Sequence, residues 1–73
     1  MENNSTIRTY GRTELAMLYS PYITPDAAWR RLRRWIAFNK SLTKKLAASG
    51  YIPTQRVFTP IQVQHIMDEL GEP

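Results

Sequence analysis

Two Thr-Pro pairs, Thr24-Pro25 and Thr59-Pro60, mark where two helices begin in this chain. A threonine side chain can cap free backbone N–H groups, and proline is favoured at the first helical position because its missing N–H needs no partner there. In the second helix Gln62 follows the threonine by three residues, which is a capping-box spacing. The sequence therefore predicts one helix over residues 25–39 and another over residues 60–70.

The first of these helices has an apolar stripe. On a wheel of about 100° per residue, its apolar side chains fall close to one another, as a core-facing stripe should. The stripe consists of Ala28, Trp29, Leu32, Trp35 and Ile36. Both tryptophans are therefore expected to anchor the core.

Positive charge is concentrated in one part of the chain. No acidic residue occurs between Ala27 and Met67, although the whole chain has a net charge of +4. The basic residues of this window are Arg30, Arg31, Arg33, Arg34, Lys40, Lys44, Lys45 and Arg56. Such segregation gives a one-sided positive potential, which favours a polyanionic partner, although a charged helix face that is only solvated has the same pattern.

The remaining elements are shorter. Thr13 and Glu14 predict the start of a helix over residues 14–19, and Ser41 predicts the start of another over residues 42–49. Gly50 is expected to close the latter in a left-handed conformation. Residues 51–58 favour two short strands or an extended loop. Residues 1–9 are polar and predicted to be a disordered tail, which leaves residues 10–73 as a single domain.

Composition argues against an enzyme or a metalloprotein. The chain has no cysteine and one histidine, so a structural zinc site cannot be assembled, and its three glycines stand apart rather than in a phosphate-binding loop. We therefore expect no catalytic residues, no metal and no cofactor. The polar N-terminus has no apolar core of a signal peptide, and no apolar run is long enough to cross a bilayer, so the expected location is cytoplasmic.

The order of these parts resembles the winged helix-turn-helix headpiece of MerR-like DNA-binding proteins. The resemblance is carried by Glu14-Leu15-Ala16, by the Thr24-Pro25 helix, and by the segment from Arg56 to Val63. It implies a small, mainly α, winged helix-turn-helix-like domain of three to four helices with a short β-ribbon or extended loop before the last helix. It also implies groove or phosphate contacts for the helix arginines and a wing contact for Arg56.

The chain as a whole more closely resembles a small bacterial family of Bacteroidetes type that is catalogued only as a domain of unknown function. The opening GRTELA, residues 11–16, and the ending LGEP, residues 70–73, carry this resemblance. It implies no activity.

The leading hypothesis from the sequence is a DNA-binding module, acting as a small transcriptional or accessory regulator. Arginines of the 25–39 helix would contact double-stranded DNA, and the other basic residues of the window would hold phosphates. A homodimer or another partner is expected, because one small domain offers few base contacts. No RNA-module signature separates RNA from DNA as the ligand.

The alternative is a non-catalytic protein-interaction adaptor whose basic face meets an acidic partner. Membrane-surface binding is disfavoured, because lipid would have to take the same tryptophan stripe that the core needs.

Overall fold

The computed structural model describes residues 7–73, which form four helices and two short strands. In chain order the elements are β1 (Tyr10–Gly11), α1 (Arg12–Tyr19), α2 (Pro25–Phe38), α3 (Lys40–Ala48), β2 (Val57–Phe58) and α4 (Pro60–Leu70). The prediction of a small, mainly helical domain is confirmed. Most of the predicted tail, residues 1–6, lies outside the described residues.

Both helices that follow a Thr-Pro pair begin where the sequence predicts. At the start of α2 the Thr24 hydroxyl accepts a hydrogen bond from the Ala27 backbone N–H at 3.3 Å. At the start of α4 the Thr59 backbone N–H donates to the Gln62 side-chain oxygen at 3.0 Å. At α2 the side chain of the capping threonine accepts a backbone N–H of the first turn, whereas at α4 a side chain of the first turn accepts the backbone N–H of the threonine.

The prediction that α1 begins at Glu14 with Thr13 as its cap is wrong. The helix begins at Arg12, and Glu14 reaches back so that its carboxylate accepts a 3.1 Å hydrogen bond from the Gly11 N–H. The Arg12 N–H donates to the Arg56 carbonyl at 2.9 Å. Because the carbonyl of Arg56, just before β2, and the side chain of Glu14 accept these first N–H groups, the helix needs no threonine cap.

The start predicted for α3 is also displaced. Asn39 ends α2 and at once caps α3, because its side-chain oxygen accepts a 2.9 Å hydrogen bond from the Leu42 N–H. Ser41 instead donates its hydroxyl to Glu69 at 3.1 Å. The predicted end is confirmed, since Gly50 has φ of +89°, a conformation that residues with a Cβ rarely adopt.

Two distant segments of the chain meet in the sheet. Strand β1 pairs antiparallel with β2, so that Tyr10 lies opposite Phe58 and Gly11 opposite Val57. The extended segment predicted over residues 51–58 thus provides one strand, and the start of the domain provides its partner. This pairing ties the beginning of the described chain to the segment that precedes α4.

Aromatic side chains form the centre of the core, around the fully buried Phe58. The Tyr51 ring stacks on Phe58 at a centroid distance of 5.3 Å, and the Trp29 ring lies 6.1 Å from it. The aliphatic core residues surround this group and come from all four helices: Leu15, Ala28, Leu32, Ile36, Leu42, Leu46, Val63 and Ile66.

The two tryptophans differ, so the prediction that both anchor the core is only half right. Trp29 is 8% exposed, whereas Trp35 is 37% exposed. The rings of Trp35 and Tyr19 form a T-shaped pair with their centroids 6.2 Å apart. Trp35 lies at the border of the apolar stripe, where its aromatic neighbour is Tyr19 of α1. It therefore belongs partly to the surface.

One polar side chain is buried beside the aromatic centre. Gln62 is 2% exposed, and its oxygen accepts hydrogen bonds from the Thr59 N–H and from the Gln55 side-chain amide at 2.7 Å. Its own amide donates to the Ser49 carbonyl at 3.4 Å. This network joins the end of α3, the loop before β2 and the start of α4, and it satisfies a group whose burial would otherwise be costly.

Comparing the two tryptophans tests this description of the core. Trp29→Ala should lower the free energy of unfolding by about 3–5 kcal/mol, as expected for a buried aromatic side chain. Trp35→Ala should cost only about 1 kcal/mol, which is typical of a point substitution at a partly exposed position. Urea denaturation followed by circular dichroism measures both; equal losses would contradict the assignment of Trp35 to the surface.

Candidate nucleic-acid interface

Three arginines of α2 share one face of the helix. Arg30, Arg31 and Arg34 lie three, four and seven residues after Ala27, a spacing that puts all four on the same side. Together with Ile23, from the turn before α2, they line an open cleft of about 280 Å³. We call Arg30, Arg31 and Arg34 the arginine face. It lies opposite the stripe that α2 packs into the core.

The guanidinium groups of the arginine face are unneutralised. Within residues 7–73, no acidic side chain lies within ion-pair distance of them; Glu14 pairs with Arg8 at 3.0 Å, and Glu69 pairs with Lys45 at 2.7 Å. Like charges held close together on a single helix raise the local positive potential and attract anions. Their planar donor groups are free to bind phosphate in a bidentate manner.

Arg33, the fourth predicted arginine of α2, lies on a different flank of the helix. Burial raises the pKa of the Tyr51 phenol, and the charges of Arg12 and Arg33 oppose that shift. Both guanidinium groups are therefore close enough to Tyr51 for their charges to act on it. Arg33 remains exposed there, next to the arginine face but not within the cleft.

Sequence reasoning missed Arg12. Its guanidinium lies 5.0 Å from the centroid of the Trp29 ring, a cation–π contact that holds it against α2. Its backbone N–H also binds the carbonyl of Arg56, the predicted wing residue. Arg12 and Arg33 thus both act on Tyr51, and the backbone of Arg56 adjoins the start of α1. The prediction that α1 began at Glu14 left Arg12 outside any element, so nothing pointed to it.

The predicted lysines of α3 fall into two kinds. Lys40 and Lys44 are exposed and one helical turn apart, so they share the outer side of α3. Lys45 instead points towards α4 and forms an ion pair with Glu69. That pairing reduces the charge that Lys45 could offer to a phosphate.

The Lys45–Glu69 contact perturbs both partners. The hydrogen bond from Lys45 holds the pKa of Glu69 below its usual value, and the Ser41 hydroxyl acts in the same direction. The same carboxylate raises the pKa of Lys45. The pair therefore links α3 to α4 over the range of pH in which both groups are charged.

Within residues 7–73 no three histidine, cysteine or acidic side chains lie close enough together to hold a metal ion. His65 is half-buried on α4. None of the helices of residues 7–73 combines the length and the apolar character that a membrane span requires.

The family match covers nearly the whole chain. Residues 6–73 match the model of a family described as a domain of unknown function, DUF4248. The chain belongs to this family. The matched range includes all four helices and both strands of this DUF4248 domain, so the arginine face and the aromatic core belong to the family's own region. No curated protein and no solved structure matches the sequence significantly.

The Lys45–Glu69 pair predicts a specific pH dependence of stability. Because folding lowers the pKa of Glu69, its contribution is complete above the ordinary glutamate pKa and is lost as pH falls through the lower folded value. Glu69→Gln should therefore flatten the acid limb of a plot of melting temperature against pH. Asp68→Asn, at an exposed neighbouring position, is the control and should leave that limb steeper than in Glu69→Gln. Identical acid limbs in wild type and Glu69→Gln would contradict the role of the pair.

Proposed function

We propose that this protein is a non-enzymatic DNA-binding module that acts as a small transcriptional or accessory regulator. The observation that carries the proposal is the arginine face, in which three guanidinium groups line one open cleft and no described acid neutralises them. Arginine is well suited to this use, because its fork matches phosphate oxygens and also the major-groove edge of guanine.

The dimensions of α2 fit such a role. A helix of 14 residues is about 21 Å long, and the major groove of B-DNA, about 12 Å wide, admits an α-helix. Helix α2 presents the arginine face outward while Trp29 and Leu32 hold its other side in the core. Arg33 and Arg56 would then contact the phosphates beside the groove, and Lys40 and Lys44 would add contacts from α3.

A winged helix-turn-helix arrangement of the MerR-like kind is part of this proposal. Its support is the close packing of α1 against α2 and the position of Arg56 immediately before β2. The pairing of β2 with β1 places Arg56 beside Arg12. A wing contact would therefore come from this two-stranded sheet together with the start of α1.

We further propose that useful sequence specificity requires a homodimer or another DNA-bound partner. The arginine face provides three guanidinium groups, which is few for a specific site. Two copies on one duplex would double the contacts and set the spacing of half-sites.

Single neutralising substitutions test the proposal. Arg30→Gln and Arg34→Gln should each weaken binding to a short duplex and reduce the slope of log affinity against log salt by about 1, because each removes a phosphate contact. Lys45→Gln removes the same charge from a residue already paired with Glu69, so its effect on both quantities should be smaller. Fluorescence anisotropy over a series of salt concentrations measures both quantities.

Two results would reject DNA binding: no binding at low salt, or binding that does not depend on salt. The adaptor role is then the alternative, in which the arginine face meets an acidic protein. Its signature is a protein partner that is retained after nuclease treatment and lost when Arg30 and Arg34 are replaced by glutamate.

A further inference from the structure

Exposed aromatic side chains occur in the same part of the fold as the arginines. All eight aromatic residues lie within the described chain, and five of them are buried or half-buried. The other three belong to α2 or to the turn before it: Tyr22 is 96% exposed, Trp35 37% and Phe38 80%. The exposed aromatic side chains thus lie in the same part of the fold as the arginine face.

Helical geometry places Phe38 next to the arginine face. Phe38 follows Arg34 by four residues and Arg31 by seven, so the three side chains form a row along one side of α2. The rise from Arg34 to Phe38 is about 6 Å, and that from Arg31 to Phe38 is about 10 Å. An extended ligand that contacts the guanidinium groups would therefore meet the phenyl ring at the end of the row.

The Phe38 ring contributes little to the packing of the fold, since the side chain is 80% exposed. It is the last residue of α2 and has no aromatic neighbour within the described chain, whereas the Trp35 ring packs edge-on against Tyr19. A phenyl ring that is 80% exposed can stack on a planar partner, and every nucleobase offers a planar face. A base within a continuous duplex offers no free face for stacking, because the neighbouring bases already cover both of its faces.

We propose that this surface binds an unpaired strand of nucleic acid, with its phosphates on the arginine face and a base stacked on Phe38. The inference rests on the proposed function and specifies its ligand further. A basic groove that follows the backbone, combined with an aromatic platform, is the general chemistry by which proteins hold single strands without reading their sequence. Phe38 therefore adds affinity for unpaired DNA only, whereas the arginine face binds the phosphates of paired and unpaired DNA alike.

The decisive comparison uses one substitution and two probes. Phe38→Ala is measured against a labelled oligothymidylate and a labelled duplex of equal length, at one fixed salt concentration. Phe38→Trp retains an aromatic face, and Phe38→Leu retains apolar character without one. Ile61→Ala is the matched control, since Ile61 is also an exposed apolar residue but lies on α4. The high exposure of Phe38 predicts unchanged melting temperatures, which show that each variant is folded.

The expected result is a loss of single-strand affinity of roughly 5- to 150-fold in Phe38→Ala, which corresponds to one base-stacking interaction. Duplex affinity should stay nearly unchanged, Phe38→Trp should bind the single strand like wild type, and Ile61→Ala should have no effect. The inference is overturned if Phe38→Ala binds the oligothymidylate as well as wild type, if Phe38→Leu does so, or if both probes weaken equally.

Failure of the proposed function itself gives a different result. In that case wild type binds neither probe in a salt-dependent way, and Arg30→Gln and Arg34→Gln change nothing. If those arginine variants weaken binding to both probes while Phe38→Ala weakens neither, DNA binding stands and the stacking inference alone is rejected.

Discussion

The structure depends on the burial of Phe58. This side chain is fully buried, with the Tyr51 ring stacked on one side and Trp29 of α2 nearby. The backbone of the same residue pairs with Tyr10, so a single position joins the sheet, the loop after α3 and the longest helix. In a domain of 73 residues without disulfides, such convergence has to supply much of the stability. The buried amide of Gln62 then holds the adjoining loop in register with α4.

This centre determines which side of α2 faces outward. Trp29 and Leu32 are drawn into the core, and the helix must therefore present Arg30, Arg31 and Arg34 on its far side. The packing of the apolar side of α2 therefore sets the direction in which the arginine face points. Within residues 7–73 no acid forms an ion pair with these guanidinium groups, and Glu14 and Glu69 pair with Arg8 and Lys45 instead.

The two proposals use different chemical properties of one surface. The arginine face supplies charge, which any nucleic acid would meet, and Phe38 supplies an open ring, which only an unpaired base can use. Arg12 adds a positive charge outside the arginine face, because its guanidinium lies against the Trp29 ring and its backbone N–H donates to the Arg56 carbonyl. A paired strand and an unpaired strand would therefore share the arginines but not the ring.

Local signals in the sequence predicted where the helices begin and end and which side of α2 enters the core. The Thr-Pro pairs set the starts of α2 and α4, Gly50 ended α3, and the apolar period of α2 separated its core side from its charged side, because capping and periodicity act within a few residues. Contacts between distant segments of the chain could be read only from the folded protein. The Arg56 carbonyl accepts the Arg12 N–H at the start of α1, and Trp35 stays 37% exposed beside Tyr19 of α1. The sequence did not predict either contact, because no local signal specifies which neighbour a strand or helix will have.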